Sequence, residues 1–123
     1  MVVAYLQVEL PNEACGLLGG FNGVIQKVYL IENELHSRSE YLMEPKAQVR
    51  AMLEIENNGW ELSGIFHSHP HGPPVPSPSD VAQAYYPEAV YLICAPDARG
   101  AWRGRGFRIE AGQVAEVEIK LEG

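Results

Sequence analysis

Five prolines crowd residues 70–78 (Pro70, Pro73, Pro74, Pro76 and Pro78), and no other stretch restricts the fold of this chain as strongly. Each ring fixes φ and removes an amide donor, so neither a helix nor a central strand can run through the segment. A stiff, extended excursion is expected instead. It separates two elements: residues 62–69 read as a strand, and a helix begins near Asp80 and runs to about Tyr86. His67 and His69 stand two apart on that strand, and a period of two turns both side chains to one face.

Imidazoles placed side by side are half of a zinc site. Asp80, beyond the proline segment, can close it with an oxygen ligand. Three protein ligands leave one position for water, which distinguishes a catalytic zinc from a structural one, and the zinc lowers the pKa of that water from 15.7 to roughly 7. Hydrolysis also needs a general base and a donor for the oxyanion. Ser77 is a candidate donor. Glu13, which opens an apolar strand just after Pro11-Asn12, is a carboxylate with no obvious structural reason, although spacing alone does not make it the base. Ser77-x-x-Asp80 also has the form of a capping box at a helix start, and that is compatible with a metal-ligand role for Asp80.

Around these residues the chain reads as alternating short elements. Residues 13–18 form a buried strand, and residues 24–31 a second one across an Asn22-Gly23 hairpin turn. Residues 2–10 are apolar-rich and fit a short helix or a strand equally well. Pro45 opens the best helix candidate, with Val49, Met52, Leu53 and Glu56 on one side and Asn58-Gly59 as its stop. Residues 89–95 read as a central strand. Residues 101–109 pair with 114–121 across a turn at Gly112, with Val117, Ile119 and Leu121 inward.

The 123 residues suffice for one domain, 1–123, with a single core. A net charge of −7 argues against nucleic acid or an anionic membrane as partner. Arg99, Arg103, Arg105 and Arg108 do cluster, but they alternate as the solvated face of a strand would. Cys15 and Cys94 sit in apolar runs, as small buried hydrophobes rather than a disulfide framework. With no secretory signal or membrane span visible, a reducing cytoplasm is the expected location.

The run His67-Ser68-His69-Pro70, followed by Ser77 and Asp80, resembles the JAMM signature of the MPN (Mov34/PAD-1) metallopeptidase family. Pro11-Asn12-Glu13-Ala14-Cys15-Gly16-Leu17-Leu18-Gly19 resembles the strand bearing that family's catalytic glutamate. Gly64-Ile65-Phe66 and Pro78-Ser79-Asp80-Val81 match as well. The resemblance implies an α/β fold, a single MPN (JAB1/MPN) domain with a mixed, mostly antiparallel sheet flanked by helices in a cytidine-deaminase-like layering. It implies one zinc per chain on His67, His69 and Asp80, with Glu13 as general base and Ser77 at the oxyanion. The implied activity is hydrolysis of the amide bond after the C-terminal Gly-Gly of a ubiquitin-like protein. The chain has little room for the substrate-gripping insertions of eukaryotic members. It therefore looks like the small prokaryotic JAB-domain branch, whose implied substrates are ubiquitin-like sulfur-carrier proteins.

Two rivals are weighed against this reading. A cysteine hydrolase built on Cys15 fares badly, because an apolar setting raises the thiol pKa. A non-catalytic MPN-type module that holds a ubiquitin-like partner is the stronger alternative, since scaffold members of the family exist. The full set of five polar positions favours the enzyme.

Overall fold

The computed structural model describes residues 10, 12–38, 40–71 and 73–118. Nearly all of the undecided segment 2–10, and Ile119 and Leu121 of the last expected strand, lie outside the described residues. Among the described residues six strands form one sheet: β1 (Cys15–Phe21), β2 (Val24–Ile31), β3 (Glu61–Ser68), β4 (Val90–Pro96), β5 (Trp102–Glu110) and β6 (Gln113–Val117). The spatial order is β2-β1-β3-β4-β5-β6. Among the described strands only β3 and β4 run parallel, and the other pairings are antiparallel.

Local chemistry sets these elements. Asn22 and Gly23 both take positive φ (52° and 78°), the requirement of a type I′ turn whose twist matches the β1–β2 hairpin. Ala111 and Gly112 repeat the device between β5 and β6 (51° and 78°). Helix α1 (Pro45–Asn57) starts on Glu44, whose carboxylate accepts the amide hydrogens of Lys46 and Ala47. It stops at Asn58-Gly59, with Gly59 at φ 72°.

The helix faces the sheet with a different stripe from the expected one. Ala51 and Ile55 are buried, with Ala47 and Met52 packed beside them, whereas Val49 and Leu53 are about half exposed. Small alanines let the helix axis approach the sheet closely, and hydrophobicity alone underrates them. Helix α2 (Pro78–Ala82) is also shorter than expected and ends well before Tyr86. Pro87 disfavours helical geometry at Tyr86, whose amide hydrogen goes to the Tyr91 hydroxyl instead.

The main core lies between α1 and one sheet face, where Leu17, Ile65, Tyr91, Ile93, Phe107 and Ile109 meet Ala51 and Ile55. His67, two residues past Ile65, continues that same face. On the opposite face Leu18, Phe66 and Cys94 form a smaller cluster with Leu92 and Trp102. Arg103 and Arg105 pair with Asp97 and Glu116 at the surface, but they share a strand face with buried Phe107 and Ile109 while Arg108 lies on the other, so the arginines do not make the single solvated face expected of them. Among the described residues no helix is long and apolar enough to cross a membrane.

Candidate metal centre

The two histidines stand at the C-terminal end of β3. Pairing with β4 carries on past the strand, because the His69 amide hydrogen goes to the Cys94 carbonyl at 2.8 Å. Both rings therefore leave a rigid central part of the sheet. His67 is 1% exposed and His69 8% exposed, and their Nε2 atoms are 3.0 Å apart. Asp80 arrives from the other end of the proline segment. Its Oδ2 lies 3.2 Å from Nε2 of His67 and 3.0 Å from Nε2 of His69.

These three atoms form a nearly equilateral triangle. A tetrahedral zinc with bonds of 2.0–2.1 Å holds its ligand atoms about 3.3 Å apart, so the set fits such an ion after a small expansion. The tautomer of His69 also suits. Its Nδ1 lies 2.9 Å from the Pro73 carbonyl, which can only accept, so Nδ1 carries the hydrogen and Nε2 keeps its lone pair.

Asp80 is fixed by its own helix. Its carboxylate accepts the Ser77 amide hydrogen (2.8 Å) while the Ser77 hydroxyl accepts the Asp80 amide hydrogen (3.1 Å), a complete capping box at the start of α2. The Ser77 hydroxyl thus acts as a cap, and its own hydrogen remains available to donate.

Glu13 comes in from the chain just ahead of β1. It is 3% exposed, and a carboxylate oxygen lies within 4.8 Å of ligand atoms on both histidines. Glu13, His67 and His69 are thus a buried group able to hold a metal, but Asp80 approaches both imidazoles more closely. Oε1 of Glu13 has no hydrogen-bond partner among the described residues. A buried carboxylate oxygen left unpaired is costly in a structure that had no use for it. Glu13, His69 and Ser77 share a cleft of about 470 Å³ with Arg38, His71 and Val75.

Electrostatics differ across the site. Burial pushes the Glu13 carboxyl up to about 7; Asp80 and Glu40 push the same way and His69 opposes them. Burial also presses on Asp80, but the two imidazoles and the Ser77 amide outweigh it and hold that carboxyl well below the usual range. Burial lowers His67. It acts likewise on His69, where Asp80 and the Pro73 carbonyl overcome it and leave that ring above its ordinary value. Two carboxyls beside the same pair of imidazoles are thus driven in opposite directions.

The family model described as prokaryotic homologs of the JAB domain matches residues 2–105. The chain belongs to this family. Among prokaryotic JAB proteins, it is 36% identical over 104 residues to one named desampylase in Haloferax volcanii, covering 80% of this chain and 75% of that one. It is 34% identical over 116 residues to a probable TtuB-protein conjugate cleaving protease of Thermus thermophilus, covering 94% and 74%. A solution structure of a Desulfitobacterium hafniense protein superposes with a TM-score of 0.84 at 36% identity, covering 98% of this chain and 86% of that one. The single mixed sheet with its helices is therefore the JAB-like fold.

Sequence reasoning singled out Glu13, His67, His69, Ser77 and Asp80, and the structure brings all five to one place. It missed residues that hold them. The Ser68 hydroxyl accepts the Ala14 amide hydrogen at 2.8 Å and ties the Glu13 segment to the histidine strand. The Tyr41 ring stacks on His67. The buried Asn33 side chain binds the Glu13 carbonyl. The only sequence signal for these contacts was a small hydroxyl residue between two histidines, since the rest arise from segments far apart in the chain.

Proposed function

We propose that this chain is a zinc-dependent peptidase that hydrolyses the amide bond after the C-terminal Gly-Gly of a ubiquitin-like or sulfur-carrier protein. The observation that carries the reading is the close triangle of His67 Nε2, His69 Nε2 and Asp80 Oδ2, beside an unpaired buried carboxylate in an open cleft. Family membership and a relative named for cleaving TtuB-protein conjugates support the substrate class.

His67, His69 and Asp80 would hold the metal. A zinc ion there supplies Lewis acidity toward a carbonyl oxygen and makes water acidic enough to react at neutral pH. Glu13 takes the proton from the attacking water on its unpaired oxygen. A carboxyl raised to about 7 releases that proton readily near neutrality, and Glu13 passes it to the departing amine. Ser77 donates its hydroxyl hydrogen to the substrate carbonyl oxygen as that oxygen gains charge. Water is consumed, the C–N bond breaks, and a glycine carboxylate and a free amine leave.

The test is cleavage of Gly-Gly conjugates carrying cysteine, a short peptide or an isopeptide-linked lysine, read by intact mass with zinc content measured in parallel. Glu13→Ala and Asp80→Ala should both abolish turnover, and only Asp80→Ala should lose the metal. Zinc-loaded protein that binds a ubiquitin-like partner yet cleaves none of the panel would support the non-catalytic module instead.

A further inference from the structure

Tyr41 has no part in the chemistry above, yet its ring lies flat on His67, with centroids 4.6 Å apart and planes 24° from parallel. His67 needs such a neighbour. Its Nδ1 is buried and has no hydrogen-bond partner among the described residues, while Nδ1 of His69 is tied to Pro73. A ligand imidazole is ordinarily oriented by a hydrogen bond from its second nitrogen. At His67 a stacked ring stands in that place.

The ring that does the stacking is itself held. Asn33 is 4% exposed, and its side-chain amide donates to the carbonyls of Glu13 (2.9 Å) and Glu40 (3.1 Å). Its carbonyl oxygen accepts the amide hydrogens of Leu35 and Leu42, each at 3.1 Å. Four bonds use the full capacity of an asparagine side chain. The residues on either side of Tyr41 hang on this one group, and so does the backbone of Glu13.

We propose that Tyr41 is a positioning residue: its stack sets the His67 ring so that Nε2 faces His69 and Asp80, and Asn33 keeps Tyr41 and Glu13 in register. The inference rests on the metal-site reading given above. Loss of the stack frees the ring to rotate and weakens metal binding, whereas loss of the Tyr41 hydroxyl alone does not.

Zinc affinity of the purified, metal-free chain, measured by competition with a chromophoric chelator, tests this. Tyr41→Phe keeps the ring and should bind within about twofold of wild type; Tyr41→Leu should bind about tenfold or more weakly, the usual cost of an outer-shell change. Tyr41→Met provides the same comparison if Tyr41→Leu does not fold. Carbon–proton NMR of the metal-free protein adds a readout independent of zinc. The ring protons of His67 should sit upfield in wild type and Tyr41→Phe and move downfield in the aliphatic variant. Equal zinc affinity across the series, or an unmoved His67 signal, would overturn the proposal. A wild type that binds no zinc would overturn the metal reading, while the NMR shift would still decide whether the stack orients the ring.

Discussion

Ser68 and Ala14 are 54 residues apart in the chain and joined twice: the Ser68 hydroxyl accepts the Ala14 amide hydrogen at 2.8 Å, and the Ala14 carbonyl accepts the Ser68 amide hydrogen at 3.0 Å. The hydroxyl lies on the sheet face opposite the imidazoles, so it positions Glu13 without touching the site. Removing it orphans a buried amide. Ser68→Ala should therefore lower stability by about 1–3 kcal/mol in urea unfolding and reduce kcat, while zinc content stays at one per chain. Unchanged kcat in a destabilised variant would show that the clamp serves folding alone.

Glu13 imposes a pH-dependent cost on the metal-free protein. Its folded pKa, about 7, exceeds the ordinary 4.5, so the unfolded chain ionises first. The stability it contributes is full below about 4.5 and is lost as pH rises through 7. Glu13→Gln removes that loss. Metal-free Glu13→Gln should be more stable than wild type at pH 8, by on the order of 2–3 kcal/mol, and the gap should shrink by pH 5. A gap that does not change with pH would contradict the burial effect assigned to this carboxyl.

Cys94 responds in the same direction at higher pH. Burial pushes its thiol from 9.0 up to about 11, so between those values the folded state keeps a proton that the unfolded state has released. Stability should fall as pH rises from 9 toward 11, and less so in Cys94→Ala. Both cysteines are buried, so iodoacetamide at pH 8 should label neither in the native protein and both in urea. Rapid labelling of Cys15 without denaturant would revive a nucleophilic role for it.

Gly16 is a matter of space rather than backbone freedom. A Cβ built there overlaps the Tyr29 carbonyl oxygen and the Phe66 ring, which lies across from it on β3. Gly16→Ala should cost about 1–3 kcal/mol or prevent folding, and Phe66→Leu should recover part of the loss in thermal melts. Tolerance of the alanine without any shift in Tm would show that the Tyr29 backbone and the Phe66 ring both have room to move.

The legible parts of this fold were those written in local chemistry. The Asn22-Gly23 turn fixed β2 at 24–31, and a period of two placed both histidines on one face. The face of α1 was misread because its buried stripe runs through alanines, and burial there is set by how near the sheet lies. Helix α2 ends at Ala82, five residues ahead of Pro87, so that proline accounts only for the non-helical geometry at Tyr86 and the earlier stop has no local signal. Tyr41 and Asn33 could not be found this way. Their contacts close only after β1, β3 and the segment between β2 and α1 have come together.

His69 and Asp80 stand eleven positions apart, at the two ends of the proline segment. A cation joining them would close that segment into a ring with the metal at its clasp. Closure entropy grows only with the logarithm of ring size, about 0.6 kcal/mol for each doubling. The ring could gain residues at small thermodynamic cost while the clasp kept its geometry. In the cleft wall the Pro73 carbonyl is tied to His69, but Val75 and Pro76 lie between that anchor and the Ser77 cap, so changes of length or shape at those two positions would reshape the cleft with little disturbance to the atoms placed to hold a metal.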